Sequence, residues 1–252
     1  MRFCSVTKIA FLTSVVVLMA CACQEQYNSV PDQAVVEYDV LYSNDIKESF
    51  GPVGEFLPSK AVVKYNEEGL RVEAQGILSM YTIGLVCTTK DAFGLFDYSD
   101  YQLVLPLQSL ASMFGGVGFS DSITIVRENT KYINVCGMEA TDIDMISRSP
   151  IGDVNISAFY VPTRDNGNRL SLGNIKIPGL PTSINLNKGE SNVVIRLKSI
   201  HAEEVNNKLF NRPIGFRETT IDEFDEIAKE LNLKPAEAGS IHDYIPSQKT
   251  VE

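Results

Sequence analysis

The chain has 252 residues, 44% of them hydrophobic, and a formal net charge of −10. Near-average globular composition excludes wholesale disorder and collagen-like structure. Asp+Glu 32 against Lys+Arg 22 argues against nucleic acid, and two histidines leave no basis for a His-rich metal centre.

The N-terminus reads as an address. Arg2 and Lys8 make a positive n-region without acids, and residues 9–20 form an apolar run too short for a stable membrane span. Leu18-Met19-Ala20-Cys21 resembles a bacterial lipobox, in which Cys21 is lipidated and becomes the new N-terminus. Diacylation plus N-acylation, with palmitate as a typical chain, gives the several chains that a lasting anchor requires. Ordinary cleavage near Ala22, or modification at Cys23, are the alternatives. Removing residues 1–20 takes away Arg2 and Lys8 and no acid, which moves the net charge from −10 to −12. An acidic body is not drawn to anionic lipid, so the acyl chains would have to hold it at the membrane. Residues 21–34 read as a polar tether.

Cys4 leaves with the signal peptide, which leaves Cys23, Cys87 and Cys136 beside Cys21. An exported compartment permits disulfides. Cys87 and Cys136 are a candidate pair, closing a loop of about 50 residues for roughly 4 kcal/mol in the chain-entropy model. Two unpaired, buried cysteines acting as small hydrophobes are the other reading. No Cys/His spacing points to zinc, and no cofactor is implied.

Period-2 alternation dominates the chain beyond the tether. Residues 35–42 make a strand, and 45–58 a Gly/Pro-interrupted loop. Residues 61–65 and 70–75 form a hairpin about Asn66-Glu67-Glu68-Gly69. Strands come next at 79–89, 93–98 and 101–105. Leu107, Leu110, Ala111 and Phe114 recur at helical spacing and predict a short helix over 106–114. Strands resume at 122–127, 131–136, 139–146 and 154–160. A loop spans 162–181, and two further strands lie at 182–187 and 192–201. Thr220 and Glu223 have capping-box spacing ahead of an apolar stripe of Ile221, Phe224, Ile227, Ala228 and Leu231. This predicts a C-terminal amphipathic helix ending near Asn232, before a polar tail over 233–252. The expected organisation is a signal peptide (1–20), a tether (21–34), one antiparallel β domain (35–232) and the tail.

Chemistry-bearing motifs are weak. Gly115-Gly116-Val117-Gly118 has a helix before it and a strand after it, the reverse of a dinucleotide-binding turn, so it reads as a helix end. His201 and His242 lack a Gly-x-Ser-x-Gly partner. Asp142 and Asp144 share a strand face and read as its wet side. The Asn155-Ile156-Ser157 sequon carries little weight in a bacterial lipoprotein.

Several segments in order resemble a family: Leu57-Pro58-Ser59-Lys60 with the first hairpin, Lys131-Tyr132-Ile133-Asn134-Val135-Cys136-Gly137, Ile177-Pro178-Gly179-Leu180-Pro181-Thr182, and Leu209-Phe210-Asn211-Arg212-Pro213. Together they resemble uncharacterised exported bacterial lipoproteins of the GLPGLI-like type and related domains of unknown function. Cys136 preceding Gly137 departs from that pattern. The motifs are turn and packing motifs with no catalytic residue. The resemblance implies a LolA/LolB-like fold: a curved antiparallel sheet or half-barrel with a helix against its concave side.

The expected function is non-enzymatic. It is that of a membrane-anchored lipoprotein of a Gram-negative envelope, on the outer membrane and facing the periplasm. Ile83, Leu85, Phe93, Leu95, Val193 and Ile195 are the candidate apolar face for a lipid or other hydrophobic ligand, against the alternative that they are packed core. An envelope scaffold whose acidic surface meets a protein partner is the second hypothesis, and a hydrolase the remote third.

Overall fold

Alternating sequence builds one sheet in the computed structural model, which describes residues 27–76, 81–107, 109, 122–148, 153–163 and 177–231. Its twelve strands are β1 Ala34–Tyr42, β2 Lys60–Tyr65, β3 Gly69–Gln75, β4 Tyr81–Thr88, β5 Ala92–Tyr98 and β6 Tyr101–Leu105, then β7 Ser122–Val135, β8 Met138–Arg148, β9 Val154–Pro162, β10 Gly179–Lys188, β11 Ser191–His201 and β12 Arg217–Glu218. Their order across the sheet is β12-β6-β5-β4-β3-β2-β1-β11-β10-β9-β8-β7. The pairings are antiparallel except for the short contact of β12 with β6. The fold is therefore mainly β, an open curved sheet. Among the described residues there are two α-helices, α1 Asn44–Ser49 and α2 Ile221–Glu230, and no helix is long and apolar enough to cross a membrane. The expected signal segment, Cys21 and Cys23, His242 and the expected 233–252 tail lie outside the described residues, as does most of the helix expected over 106–114.

Facing partners on adjacent strands point to the same side of a sheet, which lets the two faces be followed from strand to strand. Ile83 faces Ala74, Ala74 faces Ala61, and Ala61 faces Tyr38 on β1, which faces Leu197 on β11. This side is the inner one. It holds three hydrophobic clusters, joined where Val72 and Cys87 touch the first and second and Ile195 touches the first and third. Tyr38 reaches over β11 to donate from its hydroxyl to Pro181 O on β10 at 2.9 Å, which ties the sheet across its inner side.

A fourth cluster sits on the outer face, where Val86, Phe93, Leu95 and Val104 pack under Val205 and Phe210. The chain after β11 is fastened there by polar contacts. Asn66 Nδ2 donates to Val205 O at 2.9 Å and to Asn207 Oδ1 at 2.6 Å, and Arg71 Nη1 donates to Leu209 O at 2.9 Å. The Arg212 guanidinium lies 5.0 Å from the centre of the Phe93 ring. The Leu209–Pro213 motif is thus a clamp on the back of β3–β5.

Gly179, in the Pro-Gly-Leu-Pro motif, lets β10 run close to β9. A Cβ there would lie 2.0 Å from Val161 O, so only glycine fits. β10 consequently begins at Gly179, earlier than alternation alone predicts.

Three expectations change. The loop expected over 45–58 contains α1 and a 3-10 turn at Gly51–Phe56. The strands expected at 122–127 and 131–136 are one long strand, β7, whose pairing with β8 shifts register between Glu128 and Tyr132. Asn129, with φ 56°, takes up the extra residues there. The third concerns the cysteines. Cys87 is a free thiol on β4 and Cys136 is disulfide-bonded, so Cys87 and Cys136 do not pair. Cys87 sits half-buried among apolar side chains, and burial pushes its thiol pKa up, as for a packing hydrophobe rather than a nucleophile.

Candidate functional site

The inner face is closed at one end by α2. Thr220 Oγ1 caps the helix by accepting from Glu223 N at 3.2 Å. The Glu223 carboxylate accepts from Thr219 Oγ1 at 2.7 Å, pairs with Arg217 and bonds back to the Thr220 backbone, the reciprocal half of the capping box, and these bonds hold its pKa below the usual carboxylate range. Helical spacing then turns Phe224, Ile227 and Ala228 onto the sheet, where they meet Ile83, Leu85, Phe96, Leu103 and Leu105. Phe224 and Phe96 stack edge to face with centroids 5.6 Å apart. Burying Phe224 and Ile227 contributes roughly 1.5–3 kcal/mol each. This end is dry core.

The middle of the same face has no such cover from α2. Ala61 and Val63 on β2, Val72 on β3, and Val193, Ile195 and Leu197 on β11 are only partly buried. They share the face by register: Val63 opposes Val36 and Val72, Leu197 opposes Tyr38, and Val193 opposes Tyr42. Phenols run through and beside this row, with Tyr38 buried between Ala61 and Leu197. Tyr81 donates its hydroxyl to Phe56 O at 2.7 Å, and burial pushes its pKa up to about 12. Burial, and then the neighbouring Tyr81, raise that of Tyr42, while burial, and then Tyr65, raise that of Tyr38. At any physiological pH these phenols are neutral, and Tyr38 and Tyr81 spend their protons on backbone carbonyls.

The six residues expected to line a ligand face do not all share one. Ile83, Leu85, Val193 and Ile195 are on the inner face, whereas Phe93 and Leu95 are on the outer face under Val205 and Phe210. The reason is local to β5. Phe93-Gly94-Leu95-Phe96 is apolar on both sides, so its alternation carries no phase. Register with β4 decides it by placing Gly94 opposite Leu85 and Phe96 opposite Ile83. Of the four inner residues, Ile83 and Leu85 are buried, and only Val193 and Ile195 remain partly open. The sequence pattern missed Ala61, Val63, Val72 and Leu197. The hairpin register of β2 and β3 was the signal that could have found the first three.

Asp142 is not a wet strand residue. It is 4% exposed, and its carboxylate accepts from Thr130 N and Thr130 Oγ1 at 2.6 Å each and from Lys131 N at 2.7 Å. The Thr130 hydroxyl bond and the backbone bonds outweigh burial and hold its pKa down at about 2. It closes the bulge of β7. Arg127 pairs with Asp144 and also lies 3.8 Å from the Asp142 carboxylate. His201 is exposed and contacts Ser199 at 3.1 Å, with no carboxylate partner in that contact. A hollow of ≈ 280 Å³ is lined by Asn44, Lys47, Glu48, Gly51 and Glu55, remote in character from an acyl-chain site. Among the described residues, no group of three or more His, Cys, Asp or Glu is placed to hold a metal.

No family model matches the chain, and no curated protein matches it. Solved structures do. LprF from Mycobacterium bovis is 11% identical with a TM-score of 0.32, over 73% of this chain and 90% of that one. A hypothetical protein from Chlamydia trachomatis is 9% identical with a TM-score of 0.38, over 71% of this chain and 91% of that one. Likeness of this grade is one of sheet-rich architecture and extends to no site residue.

Proposed function

We propose that this protein is a lipoprotein of a Gram-negative cell envelope, acylated at Cys21 and facing the periplasm from the outer membrane. Its inner face would take an acyl chain or a similar apolar ligand without catalysing a reaction. The observation that carries this reading is the partly buried row of Ala61, Val63, Val72, Val193, Ile195 and Leu197 beside a helix-covered end that is fully dry. An apolar strip left half-covered in the middle of a curved sheet is what a chain-shaped hydrophobic ligand would complete. The phenols along it are neutral and add no charge to the strip. The motif resemblance to exported lipoproteins fits the same reading.

The test is binding. The mature protein purified from membranes is examined by native mass spectrometry and titrated with a fluorescent fatty acid. Retained lipid and saturable binding are expected. Filling the strip with V63F and L197F together should weaken binding at least about tenfold, equivalent to roughly 1.4 kcal/mol. Absence of both lipid and dye binding, or equal binding by the filled variant, would sink the reading.

A second reading, an envelope interaction protein, is favoured by the outermost strand. Ile125, Val126, Tyr132 and Ile133 of β7 are 51%, 60%, 60% and 41% exposed. Crosslinking in native membranes that captures a protein partner through β7, with no ligand in the inner face, would favour it.

A further inference from the structure

The cysteine count leaves the bond at Cys136 with few partners. The chain has five cysteines, Cys87 is free, and Cys136 is bonded. The partner is therefore Cys4, Cys21 or Cys23. Tyr27 brings the N-terminal segment to this spot. Its backbone N donates to Cys136 O at 3.0 Å, and its hydroxyl is held between Ile200 O at 3.2 Å and Ala202 N at 3.2 Å. Tyr27 thus sits beside the β7–β8 turn, and four residues of chain, an extended reach of about 14 Å, separate it in sequence from Cys23.

The turn itself favours a dedicated role for this cysteine. Cys136 and Gly137 are the two residues between β7 and β8, and both have positive φ, 53° and 84°. That is the geometry of a two-residue hairpin in which Asn, Asp or Gly is normal at the first position. The Cys136 side chain is half-buried against the first inner cluster, where Tyr27 packs as well.

We propose that Cys23 and Cys136 form a disulfide that clips the membrane tether to the β7–β8 turn. The choice of Cys23 over Cys21 rests on the reading that the Cys21 sulfur is taken by a thioether to lipid. Cys4 is removed with the signal on the same reading. Bond formation takes two electrons and two protons from the two thiols. An envelope disulfide-bearing oxidoreductase accepts them by thiol–disulfide exchange and leaves as a dithiol.

The consequence is orientation. Held only at Tyr27, the lipidated residue has six residues of slack, about 20 Å when extended; held at Cys23, it has two, about 7 Å. The clip therefore keeps the β7–β8 end of the sheet at the bilayer surface and gives the inner face a fixed attitude to it.

The experiment uses the full-length chain, processed in a bacterium that acylates lipoproteins. Membrane-purified protein is alkylated without reduction, digested and sequenced by mass spectrometry. A reduction-sensitive peptide pair joining Cys23 to Cys136, with Cys87 alkylated, is the expected result. In C23S, Cys136 should become alkylated. A bond from Cys136 to Cys21, an alkylated Cys136 in the wild type, or a Cys136 still blocked in C23S overturns the clip. The acyl mass on Cys21 is read from the same digest. Its absence with the Cys23–Cys136 pair intact overturns the lipoprotein reading alone.

Discussion

At the β6 end of the sheet, α2 roofs the inner face and β12 covers part of the edge; at the other end, β7 lies open on both sides. Both ends are built from alternating sequence, yet Phe96 and Leu103 are 0% and 1% exposed while Ile125 and Val126, neighbours on one strand, are 51% and 60% exposed. Apolar side chains become core only where a second element arrives to cover them. At the β6 end that element is supplied by the chain itself: Thr219 N donates to Val104 O at 3.1 Å just before the helix turns over the sheet. At the β7 end the edge is managed differently, by the charges of Arg127, Glu128 and Lys131 and by a bulge that spoils regular pairing.

The difference predicts unequal costs for the same kind of truncation. F224A empties a fully buried site beneath α2 and should lose about 3–5 kcal/mol in urea unfolding. I195A, in the half-covered middle, should lose about 1 kcal/mol, in line with the smaller area it removes from water. Equal losses would mean that the middle of the face is as dry as the helix-covered end and has no strip to offer a ligand.

A smaller effect belongs to the outer face. Asn66 is 6% exposed, and its Oδ1 accepts from Glu68 N at 2.8 Å while its amide holds Val205 and Asn207. N66A leaves Val205 O buried without that donor and should cost about 1–3 kcal/mol. Limited proteolysis should then cut first within 205–210. Unchanged stability and cleavage would show that the Arg71 bond and the packing of Phe210 hold the clamp without Asn66.

These contrasts also mark what was legible beforehand. Hairpins with one wet face, such as β2–β3, and the capped helix at Thr220 follow from local pattern, because their alternation and caps are local. Phase was lost where both faces are apolar, as at Phe93–Phe96, because only cross-strand register distinguishes the sides. The bulge at Asn129 divided β7 into two expected strands, because a turn-like Glu128-Asn129-Thr130 gives no sign that a carboxylate thirteen residues after Asn129 will satisfy its backbone. The half-covered strip depends on which residues α2 reaches, a tertiary matter. Cys87 and Cys136 resembled a pair because sequence supplies two sulfurs but not their positions in the sheet.

The finest test concerns that bulge. D142N keeps one oxygen acceptor for the backbone N–H groups of Thr130 and Lys131, and the Thr130 hydroxyl can turn to accept from the new amide. Its effect at neutral pH should therefore be the smallest of the set. The charge is what it removes, and pH exposes that. Wild-type Asp142 titrates at about 2 in the folded chain against an ordinary 3.8, a depressed carboxylate. Its contribution is thus full above the unfolded value and is lost as pH falls through the folded one. Other carboxylates titrate in the same window, but they are common to both proteins and cancel in the difference. The melting temperature of wild type minus that of D142N should shrink between pH 3.8 and about 2. A difference constant across that window would mean that Asp142 is as solvated as its sequence pattern suggests, and that the open end of the sheet is held by the strand ladder alone.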